Sequence, residues 1–323
     1  MNLMKISVIV PVWGVEKYLA KCLDSLVHQS VPVKVLVIND SSPDKSQDII
    51  DEFKGKYPDL IESYIKPNGG IADVRNYGLS KVETEYFGFL DSDDYAEPDM
   101  FEKLLNVIEK EKADVAVSQF YWEYPDHKVL GLDGPYEAGK QMMVQQMATL
   151  WNKLYRTEWV KSIPLQFPTG YRYEDAYFLY CLAPFVHKVV FVEEPFVHYV
   201  QREGSITHNH NEKVKDMVHV FESILDFYHK NGLYEFYKTE LEYLFAKFFL
   251  GNSFLRTVQI KDKKLRNETL EMSYRVLFEN FPNYMNNPYL KTLPGLKNRY
   301  FSLVRKWNYP LFAMVFRFFL IRK

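Results

Sequence analysis

The sequence predicts an α/β fold in which a mixed, mostly parallel sheet is flanked by helices and followed by a helical module. Short β-branched runs alternate with helical stripes of apolar residues through the first ~95 residues, the pattern of a doubly wound sheet. From about Asn211 onward the apolar residues recur only at helical spacing. We therefore expect a first domain over residues 1–210, with halves that meet near residue 100, and a second domain over residues 211–323.

The predicted elements of the first domain follow from these alternating patterns. Apolar, mostly β-branched runs predict strands at 6–12, 33–38, 60–65, 86–90 and 115–120. Apolar residues at helical spacing predict helices after Val15, over 71–80 and after Pro98. A further helix is predicted to begin with Ser42 as its N-cap and Pro43 in its first turn. Such a sheet binds its ligand beyond the carboxyl ends of the strands, where the polar loops of this sequence fall.

The composition is that of a globular, intracellular protein. Of the 323 residues 47% are apolar, enough for a sizeable core. The formal net charge of -2 does not favour nucleic acid as a partner, because nucleic-acid binding depends on a basic surface. Cys22 and Cys181 are predicted to be buried thiols, which fits a reducing, cytoplasmic compartment. No stretch reaches the roughly 20 apolar residues that a spanning helix needs.

Carboxylates are concentrated where the fourth predicted strand ends. Asp91, Asp93 and Asp94 follow the apolar run that ends at Leu90. Such a concentration of charge calls for neutralisation, and a divalent cation such as Mn²⁺ or Mg²⁺ would provide it while leaving positions for phosphate oxygens. The alternative is an acidic turn before Glu97.

Two other loops at the same edge carry polar side chains. Asp40 follows the second strand, where a carboxylate can accept from a nucleobase or a ribose, although a role in capping the next helix is the alternative. The segment 68–76 contains Gly69 and Gly70, which let backbone approach a ligand, and Arg75, which suits phosphate. An ordinary glycine-rich turn is the alternative for that segment.

These motifs together resemble glycosyltransferase family 2, of the GT-A type. The resemblance rests on Pro11, Asp40, 68–76 and 89–94, and it extends to about residue 208 through three further segments, 151–155, 173–175 and 195–199. It is closest to bacterial members that build surface polysaccharides. The resemblance implies inverting transfer of a sugar from a nucleotide diphosphate donor, commonly a UDP-sugar, to a hydroxyl of a glycan or lipid-linked acceptor. It also implies that residues 1–100 bind the nucleotide and residues 101–210 the acceptor.

The resemblance further implies a role for each matched residue. Pro11, Val12 and Asp40 would line the nucleoside pocket, Asp73 and Arg75 would contact uridine or diphosphate, Asp91 would face the ribose, and Asp93 would hold the metal. Asn68 and Ser92 are further candidates for binding the donor. The sequence departs from the family pattern at Asn39, where a second acidic residue is common, and at Trp13 and Gly14, where an aromatic-Asn pair is usual.

Glu174 and Asp175 precede a predicted helix stripe, so both carboxylates would lie at a helix N-terminus, which favours their ionised form. Ordinary helix-start charge is the alternative reading. In the family the Asp of such a pair is the usual base, so the resemblance implies that Asp175 deprotonates the acceptor while Glu174 orients substrate or shares charge.

A flap is predicted after the last β-rich segment. Arg202 and Ser205 offer donors for pyrophosphate, and His198 is a candidate second metal ligand. A surface loop is the alternative for the flap, and a satisfied core or surface histidine is the alternative for His198.

The C-terminal tail is basic and apolar. No acidic residue follows Glu279, while the apolar run 309–321 lies between basic residues. This composition favours an interfacial helix that attaches the protein to the inner face of an anionic membrane; a helix docked on its own domain and a homo-oligomer contact are the alternatives.

Two other classes of function are weighed against the transferase. An NAD-dependent dehydrogenase would share the strand-helix alternation, but no Gly-x-Gly-x-x-Gly follows the first strand. A non-catalytic sugar-nucleotide-binding or membrane scaffold protein is the other alternative.

Overall fold

The computed structural model describes residues 4–202, 211–293 and 295–321. The chain divides into two compact units. Among the described residues, the first comprises 4–170 and 174–202, and the second comprises 171–173, 211–293 and 295–321. The boundary predicted near residue 210 borders residues 203–210, which lie outside the described ranges, and it stays a prediction.

All the strands of the described residues belong to one sheet in the first unit. In chain order they are β1 (Ile6–Val12), β2 (Val33–Asn39), β3 (Ile61–Ile65), β4 (Tyr86–Phe89), β5 (Tyr95–Ala96), β6 (Val115–Glu123), β7 (Lys128–Gly131), β8 (Lys153–Arg156) and β9 (Val189–Val200). Their spatial order is β3-β2-β1-β4-β8-β6-β9-β5, and β7 also pairs with β6.

Parallel pairing dominates the half of the sheet that the sequence assigned to the nucleotide. β1 is parallel to both β2 and β4, so Ile6 pairs with Val33 and with Tyr86, and β2 is parallel to β3. Every residue of β1 is buried, as expected of a strand that is covered on both faces. In the other half β6 is parallel to β9 but antiparallel to β7 and β8. The predicted α/β fold with a mixed sheet is confirmed.

Seven α-helices of the described residues lie in the first unit. They are α1 (Leu19–Val27), α2 (Ser46–Lys56), α3 (Ile71–Lys81), α4 (Met100–Glu111), α5 (Lys140–Gln145), α6 (Thr157–Ser162) and α7 (Glu174–Leu182). The stripe predicted for α1 is confirmed, because Leu19, Cys22, Leu23 and Leu26 are all buried.

The predicted start of α2 is wrong. Lys45, and not Ser42, is the residue before the helix, and Pro43 lies in the preceding loop. The Ser42 hydroxyl instead donates to Asp44 Oδ1 at 2.6 Å and accepts from the backbone N–H of Gly14 at 2.8 Å. The hydroxyl that the sequence assigned to a helix cap is therefore used to tie two loops together.

A buried aromatic cluster underlies the carboxyl end of β4. The ring of Phe89 lies 5.8 Å from that of Phe167 and 6.3 Å from that of Tyr155, and the rings of Phe167 and Phe178 stack at 4.4 Å. All four side chains are buried. Because packed aromatic rings resist displacement, they fix the position of the loop that follows β4.

The second unit is helical. Its α-helices among residues 211–293 and 295–321 are α8 (Asp216–Lys230), α9 (Tyr234–Lys247), α10 (Ser253–Gln259), α11 (Lys263–Asn280), α12 (Pro288–Thr292), α13 (Leu296–Leu303) and α14 (Tyr309–Ile321). A π-helical segment, Phe248–Asn252, joins α9 to α10. No strand occurs in those two ranges, so the predicted helical module is confirmed for them.

Two further predictions concern the state of the cysteines and the length of apolar helices. Cys22 and Cys181 are both free and buried, as predicted. Within the described parts of the chain, each helix is too short or too polar to cross a bilayer.

Candidate functional site

The polar loops that follow β1, β2 and β4 meet at one edge of the sheet, because the three strands are parallel neighbours. The backbone N–H of Asp40 donates to the carbonyl of Val12 at 3.0 Å, which brings the ends of β1 and β2 together. Pro11 and Val12 are buried at this edge. The structure thus brings the residues predicted for the nucleoside pocket close together.

Asp40 holds the glycine turn before α3. Its Oδ1 accepts from the N–H of Gly69 and from Lys66 Nζ, both at 2.9 Å, and its Oδ2 accepts from the N–H of Gly70 at 2.8 Å. The side-chain amide of Asn68 donates to the Asp40 carbonyl at 3.1 Å. Asp40 is almost fully buried, so these donors replace its hydration. The carboxylate that the sequence assigned to a ligand thus shapes this turn through three accepted hydrogen bonds.

Lys66 links Asp40 to the first turn of α3. Its ammonium forms ion pairs with the carboxylates of Asp40 and Asp73. A Cβ at Gly69 would lie 2.1 Å from Asp73 Oδ2, so a side chain there would displace the carboxylate of Asp73 from its present position. Sequence reasoning missed Lys66, although a lysine directly before the Pro-Asn-Gly-Gly turn was a signal that could have been used.

Arg75 lies at the centre of a second group of charges. Its Nη2 donates to Asp91 Oδ1 at 2.8 Å, and its Nη1 donates to Glu174. The guanidinium is almost fully buried, 5.9 Å from the ring centroids of Phe89 and Phe167. The arginine predicted to contact phosphate therefore bridges two carboxylates that are 83 residues apart in the sequence.

The pKa values around Arg75 reflect burial. Burial raises the pKa of Glu174 to about 7, with Arg75 opposing the shift and Asp175 adding to it. Burial lowers the pKa of Arg75, but Asp91 and Glu174 outweigh it and raise that pKa overall. Glu174 is thus ready to exchange a proton near neutral pH, whereas Arg75 keeps its charge.

Asp175 follows Glu174 in the first turn of α7. One of its oxygens accepts from the N–H of Ala176 at 2.7 Å, and its side chain is half-buried. Tyr173, directly before the pair, has a φ of +70°, a conformation that is uncommon for a residue other than glycine. The structure therefore places the predicted acid-base pair at a helix start beside Arg75.

The loop after β4 concentrates negative charge. Asp93 pairs with Arg202, whose Nη2 and Nε lie 2.7 and 2.8 Å from Asp93 Oδ2. Burial, with the neighbouring charge of Asp91, raises the pKa of Asp93. Ser92, between the two carboxylates, is buried. Arg202 was predicted to hold pyrophosphate, and here it partly neutralises the predicted metal ligand.

Asp94 is the least satisfied carboxylate of this loop. Its Oδ1 accepts from the N–H of Val200 at 2.8 Å, but its Oδ2 is buried without a hydrogen-bond partner among the described residues. Burial and the charges of Asp93 and Asp91 raise its pKa well above the ordinary value. A buried carboxylate oxygen without a donor is costly unless the group takes up a proton or a cation approaches.

His198 has partners other than Asp93. Its Nδ1 lies 2.5 Å from Glu123 Oε2, its Nε2 lies 2.8 Å from Glu97 Oε1, and its ring stacks on Tyr95 at 4.2 Å. With both nitrogens facing carboxylates, the geometry does not favour His198 as a metal ligand. Glu97, Glu123 and Tyr95 were not singled out from the sequence, because they reach His198 only through the pairing of β9 with β5 on one side and with β6 on the other.

The predicted metal site depends on which side chains could bind an ion. Within the described ranges, no group of three or more His, Cys, Asp or Glu side chains is arranged to hold a metal ion. Mg²⁺ and Mn²⁺ commonly take only one or two carboxylates from the protein and the rest from phosphate and water. Asp93, with the unsatisfied charge around it, fits that pattern. Ser205, the other predicted pyrophosphate contact, lies outside the described residues.

The family profile of Glycosyl transferase family 2 matches residues 7–167, which include every element of the sheet edge from β1 to β8. The chain belongs to glycosyltransferase family 2. It is therefore a glycosyltransferase, and the predicted family is confirmed.

Two relatives illustrate the similarity in sequence. EpsH of Bacillus subtilis (strain 168), a candidate glycosyltransferase, is 29% identical over 252 residues, which are 73% of this chain and 73% of EpsH. The minor teichoic acid biosynthesis protein GgaB of the same organism is 39% identical over 114 residues, 34% of this chain and 13% of GgaB.

Two solved structures share the fold. TarS 1–349 of S. aureus in complex with UDP-GlcNAc has a TM-score of 0.70 and 22% identity, with 97% of this chain and 92% of that chain covered. The mannosyltransferase PcManGT of Pyrobaculum calidifontis, in complex with GDP-Man and Mn²⁺, has a TM-score of 0.54 and 13% identity, covering 97% and 87% of the two chains. At these identities the likeness establishes the fold alone.

Proposed function

We propose that this glycosyltransferase is an inverting enzyme that moves a sugar from a UDP-sugar to a hydroxyl of a glycan or lipid-linked acceptor in the synthesis of a bacterial surface polymer. The observation that carries the proposal is the group of carboxylates around Arg75, with a predicted base at the start of α7 and a surplus of negative charge after β4. TarS with UDP-GlcNAc and the teichoic acid protein GgaB support the donor and the acceptor class.

The donor would lie along the sheet edge from β2 to β4. Pro11, Val12 and the Asp40 turn would form the nucleoside pocket, since Asp40 fixes the path of Asn68 and the two glycines. Asp73, half-exposed at the start of α3, would face the uridine or the diphosphate. Asp91, held by Arg75, would accept from a ribose hydroxyl beside Ser92. Arg75 is a positioning residue in this scheme.

Asp93 is the residue that would hold Mn²⁺ or Mg²⁺, and Asp94 would add to the electrostatic field that attracts the cation. The bound cation would neutralise the leaving diphosphate. Arg202 would exchange its pairing with Asp93 for the pyrophosphate, because a guanidinium binds phosphate oxygens as well as carboxylate. PcManGT with GDP-Man and Mn²⁺ supports this assignment as a fold neighbour.

Asp175 would act as the base. The acceptor hydroxyl would give its proton to Asp175 while its oxygen forms a bond to the anomeric carbon, and the bond from that carbon to the diphosphate oxygen would break on the opposite face. Glu174, whose pKa is raised to about 7, would hold its place against Arg75 and keep Asp175 oriented. Inversion follows from this single displacement.

The test is donor binding and transfer in one set of variants. Melting temperature is measured with UDP, GDP and NAD, each with and without Mn²⁺, and transfer is measured as UDP release from UDP-sugars in the presence of surface-polymer acceptors. Asp175→Asn is expected to keep the UDP shift while transfer falls by about a hundred-fold to ten-thousand-fold. Glu158→Gln, at an exposed carboxyl on α6, is the matched control and keeps both.

Three other outcomes would each contradict part of the proposed function. Full transfer in Asp175→Asn would remove it as the base. A melting shift with NAD that needs no metal would favour the dehydrogenase alternative, and UDP binding without turnover on any UDP-sugar would favour the non-catalytic alternative.

A further inference from the structure

The outward face of α14 is entirely apolar. Leu311, Met314, Val315 and Phe318 recur at positions i, i+3, i+4 and i+7 and are 53%, 63%, 40% and 50% exposed, and Phe319 beside them is 66% exposed. A continuous apolar stripe of this kind is costly in water and uncommon on a soluble helix.

The inward face of the same helix is packed. Tyr309 and Ala313 are buried, the ring of Phe316 lies 5.8 Å from that of Phe254 in α10, and Arg317 Nη1 donates to the carbonyl of Val258 at 2.7 Å. The helix is therefore fixed on the second unit, and its outward stripe is a surface in its own right. A helix that is apolar all round is expected to be covered on both sides.

Large apolar side chains continue beside α14. Trp307, in the turn that enters the helix, is 79% exposed, and Leu296 and Leu303 of α13 are 81% and 63% exposed. α13 adjoins α14 through Tyr300, whose ring lies 5.3 Å from that of Phe312. The apolar surface thus extends from α14 to its neighbour.

The charged residues of the segment that contains α13 and α14 are of one sign. Lys297, Arg299 and Lys306 are exposed among the apolar residues, and no Asp or Glu follows Glu279 in the sequence. A basic surface of this kind complements anionic lipid headgroups, and each such charge near a membrane contributes roughly 1 kcal/mol. A second copy of the chain is a poorer match, because two such faces would bring like charges together.

The length of the helix sets how it would meet a membrane. α14 has 13 residues and so spans about 20 Å, less than the roughly 30 Å hydrocarbon core. Apolar helices with basic flanks and aromatic residues bind in the plane of the interface.

We propose that the outward face of α14, with the basic and apolar residues of α13 and Trp307, docks this protein on an anionic lipid bilayer. α14 lies in the headgroup plane, Phe318 and Phe319 enter the acyl boundary, and Lys297, Arg299 and Lys306 contact the headgroups. The proposal does not depend on the donor or the acceptor of the enzyme.

The experiment is co-sedimentation of the full chain with vesicles of phosphatidylcholine alone or mixed with phosphatidylglycerol. The wild type is expected to sediment with the anionic vesicles, and added salt weakens that binding. Phe318→Ser with Phe319→Ser is expected to reduce the partition coefficient by about ten-fold or more. Phe236→Ser is the matched control, because Phe236 lies on α9 and is 64% exposed; it keeps wild-type binding.

A second variant separates the contribution of the basic residues to vesicle binding from that of the apolar residues. Lys306→Gln with Arg299→Gln is expected to weaken binding to the anionic vesicles and to leave the weak binding to phosphatidylcholine unchanged. Unchanged melting temperatures show that the variants are folded. Absence of wild-type binding to anionic vesicles would overturn the proposal. So would a wild-type dimer that the double Phe variant converts to monomer while vesicle binding stays the same, because a second copy would then cover the face.

Discussion

Two acidic regions lie at the same edge of the sheet and use their carboxylates in opposite ways. In the first, the Asp40 turn, both oxygens of Asp40 accept from Gly69, Gly70 and Lys66. In the second, the Arg75 cluster, four carboxylates lie near only two guanidinium groups. Asp91 and Glu174 pair with Arg75, Asp93 pairs with Arg202, and Asp94 Oδ2 has no described partner.

This difference distinguishes carboxylates that stabilise the fold of the site from carboxylates that are available to a ligand. A buried carboxylate whose oxygens are satisfied by the protein contributes to folding and gains little from a cation. A cluster with more negative than positive groups is destabilised by its own charge and is relieved when a cation binds. Aspartates at two neighbouring strand ends can therefore have different roles, and their contacts show which role each has.

Of the effects expected in these two regions, the largest comes from removing charge in the Arg75 cluster. Asp93→Asn is expected to lower kcat/KM for UDP-sugar turnover by about a hundred-fold to a thousand-fold, because the carboxylate that attracts the cation is lost. The control is Asp126→Asn, an exposed carboxylate paired only with His127 among described contacts. Activity equal to wild type in Asp93→Asn would mean that the surplus charge has no catalytic use.

The next effect comes from the Asp40 turn and concerns stability. Asp40→Ala leaves the N–H groups of Gly69 and Gly70 without their acceptor and is expected to lower the free energy of unfolding by about 2 to 3 kcal/mol. Urea unfolding measures the change. If Asp40→Ala unfolds like the wild type and loses only UDP binding, then the turn does not need the carboxylate. The proposed difference between the Asp40 turn and the Arg75 cluster would then be wrong.

A smaller effect is expected in the pH dependence of stability. Burial raises the pKa of Glu174 from 4.5 to about 7, so its contribution is full below pH 4.5 and is lost as pH rises through about 7. Burial also acts to raise the pKa of Asp44, in the loop after β2, but hydrogen bonds from Ser42, Ser46 and backbone N–H groups lower it to about 2. The contribution of Asp44 is therefore full above pH 3.8 and is lost as pH falls through about 2.

Melting temperatures of two variants, measured over a range of pH, test how the contributions of Glu174 and Asp44 to stability change with pH. The melting temperature of Glu174→Gln is expected to rise relative to wild type by several °C between pH 5 and pH 8, because a folded pKa near 7 against 4.5 in the unfolded chain corresponds to roughly 2 kcal/mol over that range. Asp44→Asn is expected to lose stability relative to wild type at neutral pH and to recover it in strong acid. Parallel curves for Glu174→Gln and wild type would show that the buried carboxyl does not titrate in this range.

The parts of the fold that depend on local pattern could be predicted from the sequence. β1 was expected at 6–12 and lies at Ile6–Val12, because a fully buried strand has an uninterrupted apolar run. The carboxylates after β4 were found for the same reason, since the strand that presents them is recognisable.

The parts that depend on contacts between distant residues could not be predicted. α2 begins at Ser46 because Ser42 bonds to Gly14 and Asp44. Arg75 was singled out correctly as a site residue, but its pairing with Glu174 requires α3 and α7 to meet, and no periodicity in the sequence encodes that meeting. The partners of His198 likewise depend on the registers of β9 with β5 and with β6.

The central claim is that the Arg75 cluster, and not the Asp40 turn, provides the cation-dependent part of donor binding. Calorimetric titration of UDP into wild type and Asp93→Asn, each with and without Mn²⁺, tests it most directly. The account predicts that Mn²⁺ strengthens UDP binding to the wild type and has no effect on Asp93→Asn, while metal-free binding is the same in both. An equal gain from Mn²⁺ in both proteins would contradict it.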